Sequence, residues 1–294
     1  MEKILLSLTM IPLLLSSCCK SKECDVMPYS KYIVIDAQID DSTKTPTLFK
    51  NKDVISVYAW TGKPNVVSST LVVNNSFNTY DCRSTWIAYP PMIWSDMFTD
   101  HYFIGVYPRR TITNFVADPY TLDIDNPSAS DLLIATNTTG IKACDNIPVP
   151  LKFHHVLAKL TITLQYTIEE HPIPSVNSVK IFAFTTGTVD YLNHTITTIG
   201  AAREISIPAT TANFTFSSVM LPQVIKKVII QINGKYYTYE SDKGIFMGQG
   251  KRITLPINID PGGTFTVGNI SIIDWQTITI HDTVNRAIEK NKDN

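Results

Sequence analysis

Leu15-Ser16-Ser17-Cys18 is the segment whose residue types and spacing carry the plainest chemistry. A leucine, two small residues and a cysteine form a lipoprotein signal end. The small side chains let the backbone enter a peptidase site, and the thiol is the nucleophile that takes the diacylglycerol. Cys19 offers a second register, with Ser16 in the leucine position. Ahead of the cysteine, Met1-Glu2-Lys3 is a short charged start, followed by an apolar run from Ile4 to Leu15. A helix needs about 20 apolar residues to cross a bilayer core, so this run reads as a signal-peptide core rather than a span. Several acyl chains on one cysteine give stable anchoring where one chain does not. Cys18 is therefore the expected lipid attachment site.

The other cysteines are Cys19, Cys24, Cys82 and Cys144. Export would place them where disulfides persist. Cys82 and Cys144 are the two in the body of the chain and the pair to test first, although spacing alone fixes no connectivity. No paired CxxC and HxxxH spacing points to zinc, and no metal or cofactor is expected. The six histidines form no HExxH pair. His154 and His155 are neighbours, so on a strand they face apart; His154 falls on the buried register and reads as a hydrogen-bonded core histidine.

Asp96 and Asp100-His101 lie in an aromatic-rich loop that reads as packed structure rather than a metal or sugar site. Asp123-Ile124-Asp125-Asn126 has cation-ligand composition but lacks the glycine and distal glutamate of a calcium loop. Gly244 to Arg252 is rich in glycine, yet Ile245 and Arg252 stand where a phosphate loop needs Gly and Ser or Thr; a turn between strands is the expectation. No Gly-x-Ser-x-Gly elbow occurs, and Glu169-Glu170, being adjacent, make a poor catalytic carboxylate pair. No residue constellation supports an enzyme.

These residues have to be held by strands. Alternation and β-branched or aromatic enrichment predict strands at 32–39, 54–60, 69–73, 85–89, 102–107 and 132–136 in the first half. In the second half they fall at 156–166, 178–184, 204–207, 213–216, 227–233, 236–240, 252–259 and 268–280. Asn233-Gly234 between two such runs is the strongest hairpin signal. Helical periodicity is confined to 282–290. Strands at short spacing without helical crossovers predict an all-β protein of antiparallel β-sandwiches. The expected organisation is a signal at 1–17, a lipidated tether at 18–28, sandwiches at 29–150 and 151–281, and a polar tail at 282–294. The boundary is placed at Ile147-Pro148-Val149-Pro150, where prolines interrupt a central sheet. Net charge is −1 and no basic patch occurs, which excludes a nucleic-acid partner.

Taken in order, several segments resemble the fimbrillin-like family of outer-membrane lipoproteins, the pilins of type V pili and their relatives. They are the Cys18 signal end, Asp53-Val54-Ile55-Ser56-Val57-Tyr58-Ala59-Trp60, Trp86-Ile87-Ala88-Tyr89-Pro90, Tyr102 to Pro108, Asp131 to Ala135, and Ile270 to Trp275. Phe153-His154-x-x-x-Ala158-Lys159-Leu160 is the sharpest piece. The resemblance implies two tandem transthyretin-like sandwiches, surface display at the outer membrane on a lipid anchor or within a fimbrium, and pilin partners joined by strand exchange. In stalk subunits an arginine-specific protease removes the first strand. Here the first arginine is Arg83, and 39–52 offers only Lys44, Lys50 and Lys52. This departure leaves anchor, accessory, tip and stalk roles open. Tip subunits would carry an adhesive surface for a host or glycan ligand. The alternative is a glycan-binding lipoprotein of a nutrient-uptake system, with Trp60, Trp86 and Trp94 as its sugar platform.

Overall fold

The computed structural model describes residues 30–40, 49–81, 83, 85–166, 175–210, 214–259 and 265–275. Nineteen strands occur among them and no α-helix. The first half contains β1 (Ile35–Ile39), β2 (Val54–Thr61), β3 (Val73–Asp81), β4 (Thr85–Tyr89), β5 (His101–Tyr107), β6 (Asp118–Thr121), β7 (Leu133–Ile141) and β8 (Val149–His155). Then follow β9 (Ala158–Tyr166), β10 (Val176–Ala183), β11 (Thr186–Asp190), β12 (Thr195–Ile199), β13 (Arg203–Ser206) and β14 (Thr215–Met220). The chain continues through β15 (Gln223–Ile232), β16 (Lys235–Met247), β17 (Lys251–Ile259), β18 (Phe265–Val267) and β19 (Ser271–Asp274). The expected all-β class is what the chain adopts.

The largest sheet has the order β1-β8-β7-β5-β2-β3-β4. Its β8 meets β7 through only two residue pairs, Leu133 with His155 and Ile134 with His154, and then leaves it. Gly105 shows where β8 goes. A Cβ on Gly105 would lie 2.6 Å from Phe153 Cζ and 3.2 Å from Leu151 Cδ1, so β8 lies flat over β5. The parallel pair β1–β8 thus forms a second layer on one face of β7-β5-β2. Ile35, Ala37, Leu151 and Phe153 meet Ile55, Val57, Phe103 and Ala135 in the core between them.

The opposite face of the same strands is covered by the sheet β12-β11-β6. Tyr58, Trp60, Ile104 and Ile134 pack there against Tyr120, Val189 and Ile196. Burial on both faces explains why Ile55–Trp60 and His101–Val106 are continuously buried rather than alternating. The third core lies between β13-β10-β15-β16 and β14-β9-β17-β18, with β19 along the same edge of β17 as β18. In β17 the side chains of Ile253, Leu255, Ile257 and Ile259 all point inward, the period of 2 expected of a half-buried strand.

Several expected elements shift, each for a physical reason. The strand read at 69–73 begins instead at Val73 and runs to Asp81. Its inward residues include Ser76 and Asn78, so hydropathy does not mark it. β8 crosses the Pro148–Pro150 segment: Pro150 occupies an outward position of a strand that belongs to the first sheet. The three-stranded sheet takes β6 from before that point and β11 and β12 from after it, so both halves share a sheet. Of the strand read at 268–280, β19 is the described part, and 276–280 lie outside the described residues. Pro256 lacks an N–H, its carbonyl accepts from Gly268 N at 2.9 Å, and the partner strand divides there into β18 and β19. The helix read at 282–290 lies outside the described residues.

Asn233-Gly234 turns β15 into β16 with φ of 48° and 80°, the left-handed pair that a two-residue hairpin needs.

Candidate functional site

The first strand and the surfaces it covers are the most distinctive interaction geometry of the molecule. Residues 30–40 alternate, with Ile33, Ile35 and Ala37 buried and Tyr32, Val34, Asp36 and Gln38 outward. Backbone bonds hold the segment along its length. Ile33 N donates to Met92 O at 2.9 Å, Val149 N to Val34 O at 2.8 Å, and Asp40 N to Phe153 O at 2.8 Å. At the far end, Asp40 accepts from Lys152 Nζ at 2.6 Å and faces His154 Nδ1 at 3.1 Å. Burial lowers the His154 pKa and Asp40 opposes that shift.

β1 stands at the end of its sheet order, with one ladder partner, β8. Removing it would expose the backbone edge of β8 and an apolar trough lined by Leu151 and Phe153. A strand offered by another chain could satisfy both.

Beside it, Phe153 to Leu160 joins two cores. The buried set in β8 is Val149, Leu151 and Phe153, whereas in β9 it is Ala158, Leu160, Ile162 and Leu164. Val156 and Leu157, both fully buried, carry the chain from one sheet to the next and change the phase. This corrects the histidine reading, which ran one register through the whole stretch. His154 is the more exposed ring, with its side chain 43% accessible, and His155 the buried one, at 9%.

His155 stacks on Trp275 with ring centroids 4.2 Å apart and planes 8° from parallel. Its Nδ1 lies 2.9 Å from Asp131 Oδ1. Lys159 Nζ is 5.8 Å from the Trp275 ring. Burial lowers the Lys159 pKa, Arg252 adds to that, and Asp131 opposes it. Leu157 O accepts from Gly250 N at 2.9 Å, and Gly250 O accepts from Trp275 N at 2.8 Å. The motif is a structural clamp.

A second clamp escaped sequence reading. Asp118, 2% exposed, accepts from Thr113 N and Oγ1, from Arg110 Nη2 at 3.0 Å and from Tyr191 OH at 3.0 Å. Tyr58 OH donates to Arg110 O and accepts from Ile112 N. Asp118 and Tyr191 are 73 residues apart, so no local spacing reveals them. Burial pushes the Asp118 pKa up, but its hydrogen bonds and the Arg110 charge outweigh burial and hold it below the usual carboxylate value.

Cys18 and Cys82 lie outside the described residues, as do Glu169, Glu170, His171 and His281. Cys144 occupies the short turn Ala143–Asp145, its N–H donating to Met97 O. Asp96 caps its own loop, accepting from Phe98 N and Thr99 N; the Thr99 side chain, followed by those backbone bonds, holds its pKa well below the usual range. His101 is fully buried, 2.8 Å from both Thr99 O and Ser95 Oγ, and burial lowers its pKa. Asp123 caps a turn in the same way as Asp96. Among the described residues, no group of three or more His, Cys, Asp or Glu could hold a metal ion. The structure does not bring the three tryptophans into a platform. Trp60 is fully buried and donates to Lys63 O, Trp86 packs against Phe49 and Tyr80, and Trp94 meets His101 and Phe103 edge-on.

Stacked sheets, with β1 at the end of the largest one, define an all-β class of protein. The fimbrillin-like family model matches residues 40–275, and the chain belongs to that family. Among curated proteins nothing matches. Among solved structures, a candidate cell adhesion protein from Bacteroides ovatus has a TM-score of 0.67 at 15% identity, covering 86% of this chain and 100% of that one. A second candidate cell adhesion protein, from Bacteroides uniformis, gives 0.61 at 16%, covering 84% and 100%. A fimbrial protein from Bacteroides vulgatus gives 0.59 at 12%, covering 83% and 99%. At these identities the likeness establishes a shared fold.

Proposed function

We propose that the chain is a structural or adhesive subunit of a type V-like pilus, displayed at the cell surface and linked to other pilin subunits by exchange of the first strand. The observation that carries this is the geometry of β1. It is an edge strand with one ladder partner among the described residues, and its side chains Ile35 and Ala37, with Ile33 just before it, fill a trough that an equivalent segment could fill. Family membership supports the same reading.

In this proposal Cys18 carries the lipid that holds the protein to the outer membrane. Cys82 and Cys144 form a disulfide on export, which a free-thiol count on the exported protein would reveal. The chain is read as two transthyretin-like sandwiches in tandem, with the core shared by β2, β5 and β11 as their common wall. With no arginine between β1 and β2, either another protease frees the β1 groove for exchange, as in a stalk subunit, or β1 and the lipid are kept, as in an anchor, accessory or tip subunit.

Cross-linking of intact cells, followed by purification from membranes, tests the assembly reading. Adducts with other pilin subunits are expected, with Cys18 still acylated and residues 30–40 present in the anchor, accessory or tip case. Shorter chains in long oligomers would instead mark a stalk. A protein that yields only monomer in every cross-linked sample contradicts the proposal.

A further inference from the structure

We infer that the end of the molecule from which the N-terminal tether departs is a lipid-facing surface, on which the folded body rests against the outer membrane. The inference builds on the reading of Cys18 as the lipid site.

The observation is a cluster of exposed apolar side chains. Tyr32 is 46% exposed, Val34 53%, Ile93 49% and Ile147 52%. They belong to one patch. Tyr32 pairs with Ile93 in an isolated antiparallel bridge. Tyr32, Val34, Trp94, Ile147 and Pro148 line a single shallow cleft of about 180 Å³ together with Ser30. An exposed apolar cluster of this kind marks an interaction site.

Its position identifies the partner. Ser30, on the rim of the cleft, is the residue at which the described chain begins. Eleven residues, 19–29, separate it from Cys18, a reach of about 40 Å when fully extended. Whatever holds Cys18 therefore holds this patch close to the bilayer.

The polarity of the two strands follows the same axis. Along the outward row of the first segment the order is Tyr32, Val34, Asp36, Gln38. Along β8 and its approach it is Pro148, Pro150, Lys152, with Ile147 at the start. The strands run parallel and in register, Asp36 beside Pro150 and Gln38 beside Lys152. Past Ser30 and Asn146 at the tether end, both rows go from apolar to polar with distance from the tether. A sheet edge meant to bury a protein strand along its length would have no need of that gradient.

The composition fits an interface between water and lipid. Tyrosine and tryptophan favour the headgroup level, where the ring is half buried and the polar atom wet. Lys31 Nζ lies 5.0 Å from the Tyr32 ring centroid, which places a cation beside the aromatic for anionic headgroups. A peripheral contact of this kind adds to acyl anchoring and fixes orientation, so that the opposite end of the body faces away from the cell.

The test uses the mature-length chain from residue 18 carrying Cys18→Ser, so that no acyl group contributes. It is mixed with vesicles of phosphatidylethanolamine and phosphatidylglycerol, and sedimentation reads the bound fraction. The chain is expected to sediment with vesicles. The triple variant Tyr32→Ser, Val34→Ser, Ile147→Ser is expected to bind about tenfold more weakly or worse, whereas Gln38→Ser, at the polar end, binds as before. Thermal melts check that the variants fold; if the triple variant does not, Val34→Glu with Ile147→Glu replaces it. A chain that stays in the supernatant at every lipid concentration overturns the inference. So does a triple variant that sediments as well as its parent, or a patch that drives lipid-independent dimerisation, which would make a second copy the occupant. The anchor reading is tested apart from this, by the mass of the Cys18 peptide from membrane-purified protein. A missing acyl group there sinks the anchor, while failed vesicle binding with an acylated Cys18 sinks the patch alone.

Discussion

The core beneath β9, β15 and β17 is almost wholly aliphatic, with Phe216 as its one buried aromatic among the described residues. The core between β2, β5 and β11 holds Tyr58, Trp60, Tyr102, Tyr120, Tyr191 and Trp275, and is pinned by the buried carboxylate of Asp118. An aliphatic core gains from area and tolerates exchange of shape. A core pinned by hydrogen bonds is specific, because each buried donor left without its acceptor costs desolvation. The first kind closes one sandwich. The second has to fasten strands from both halves of the chain in one relative position.

The largest expected break in this contrast is Asp118→Ala. It strands the Thr113, Arg110 and Tyr191 donors, and urea unfolding should show a loss of about 3–5 kcal/mol. A loss under about 1 kcal/mol would mean the clamp is incidental. A paired comparison sharpens the point. Tyr58→Phe removes the acceptor of the buried Ile112 N–H and should cost about 1–3 kcal/mol, although it keeps the ring. Leu255→Met in the aliphatic core should cost less than about 1.5 kcal/mol. Equal losses would erase the distinction.

Acid should act on the pinned side. Burial, reinforced by His154, lowers the His194 pKa to about 4, and Asp190 opposes this only in part. A folded value below the unfolded one of about 6.5 means that this contribution is fully present above pH 6.5. It fades as the pH falls toward 4. Asp118, also lowered, adds a loss at still lower pH. Melting temperatures measured between pH 7 and pH 4 should therefore fall, and His194→Asn should flatten the upper part of that fall. Asparagine is chosen because His194 has φ of 54°. The smallest effect is expected at the β15–β16 turn. Gly234→Ala, at φ of 80°, should cost about 1 kcal/mol and leave the rest of the melt unchanged.

The same contrast explains what could be read in the amino-acid sequence. The strands of the aliphatic sandwich alternate cleanly, so β9, β15 and β17 stood out, as did the Asn233-Gly234 hairpin. Strands β6, β11 and β12, which cover the pinned core, did not. β6 is four residues long and contains Pro119, and β11 is Thr-Gly-Thr-Val-Asp, poor in strand formers. β8 was missed because two prolines favour a break, yet Pro148 precedes the strand and Pro150 faces outward within it. Of the interaction site, the first strand was legible from its period. Its latch, Asp40 with Lys152 and His154, joins residues more than a hundred positions apart and left no local trace.

A strand-exchanging subunit requires β1 to be a separable closing strand. A chain that starts after Asp40 should therefore be destabilised or self-associated, and a synthetic peptide of residues 30–40 should bind it and restore the melting temperature of the complete body. A shortened chain that folds as stably as the full one, or that ignores the peptide, would contradict it.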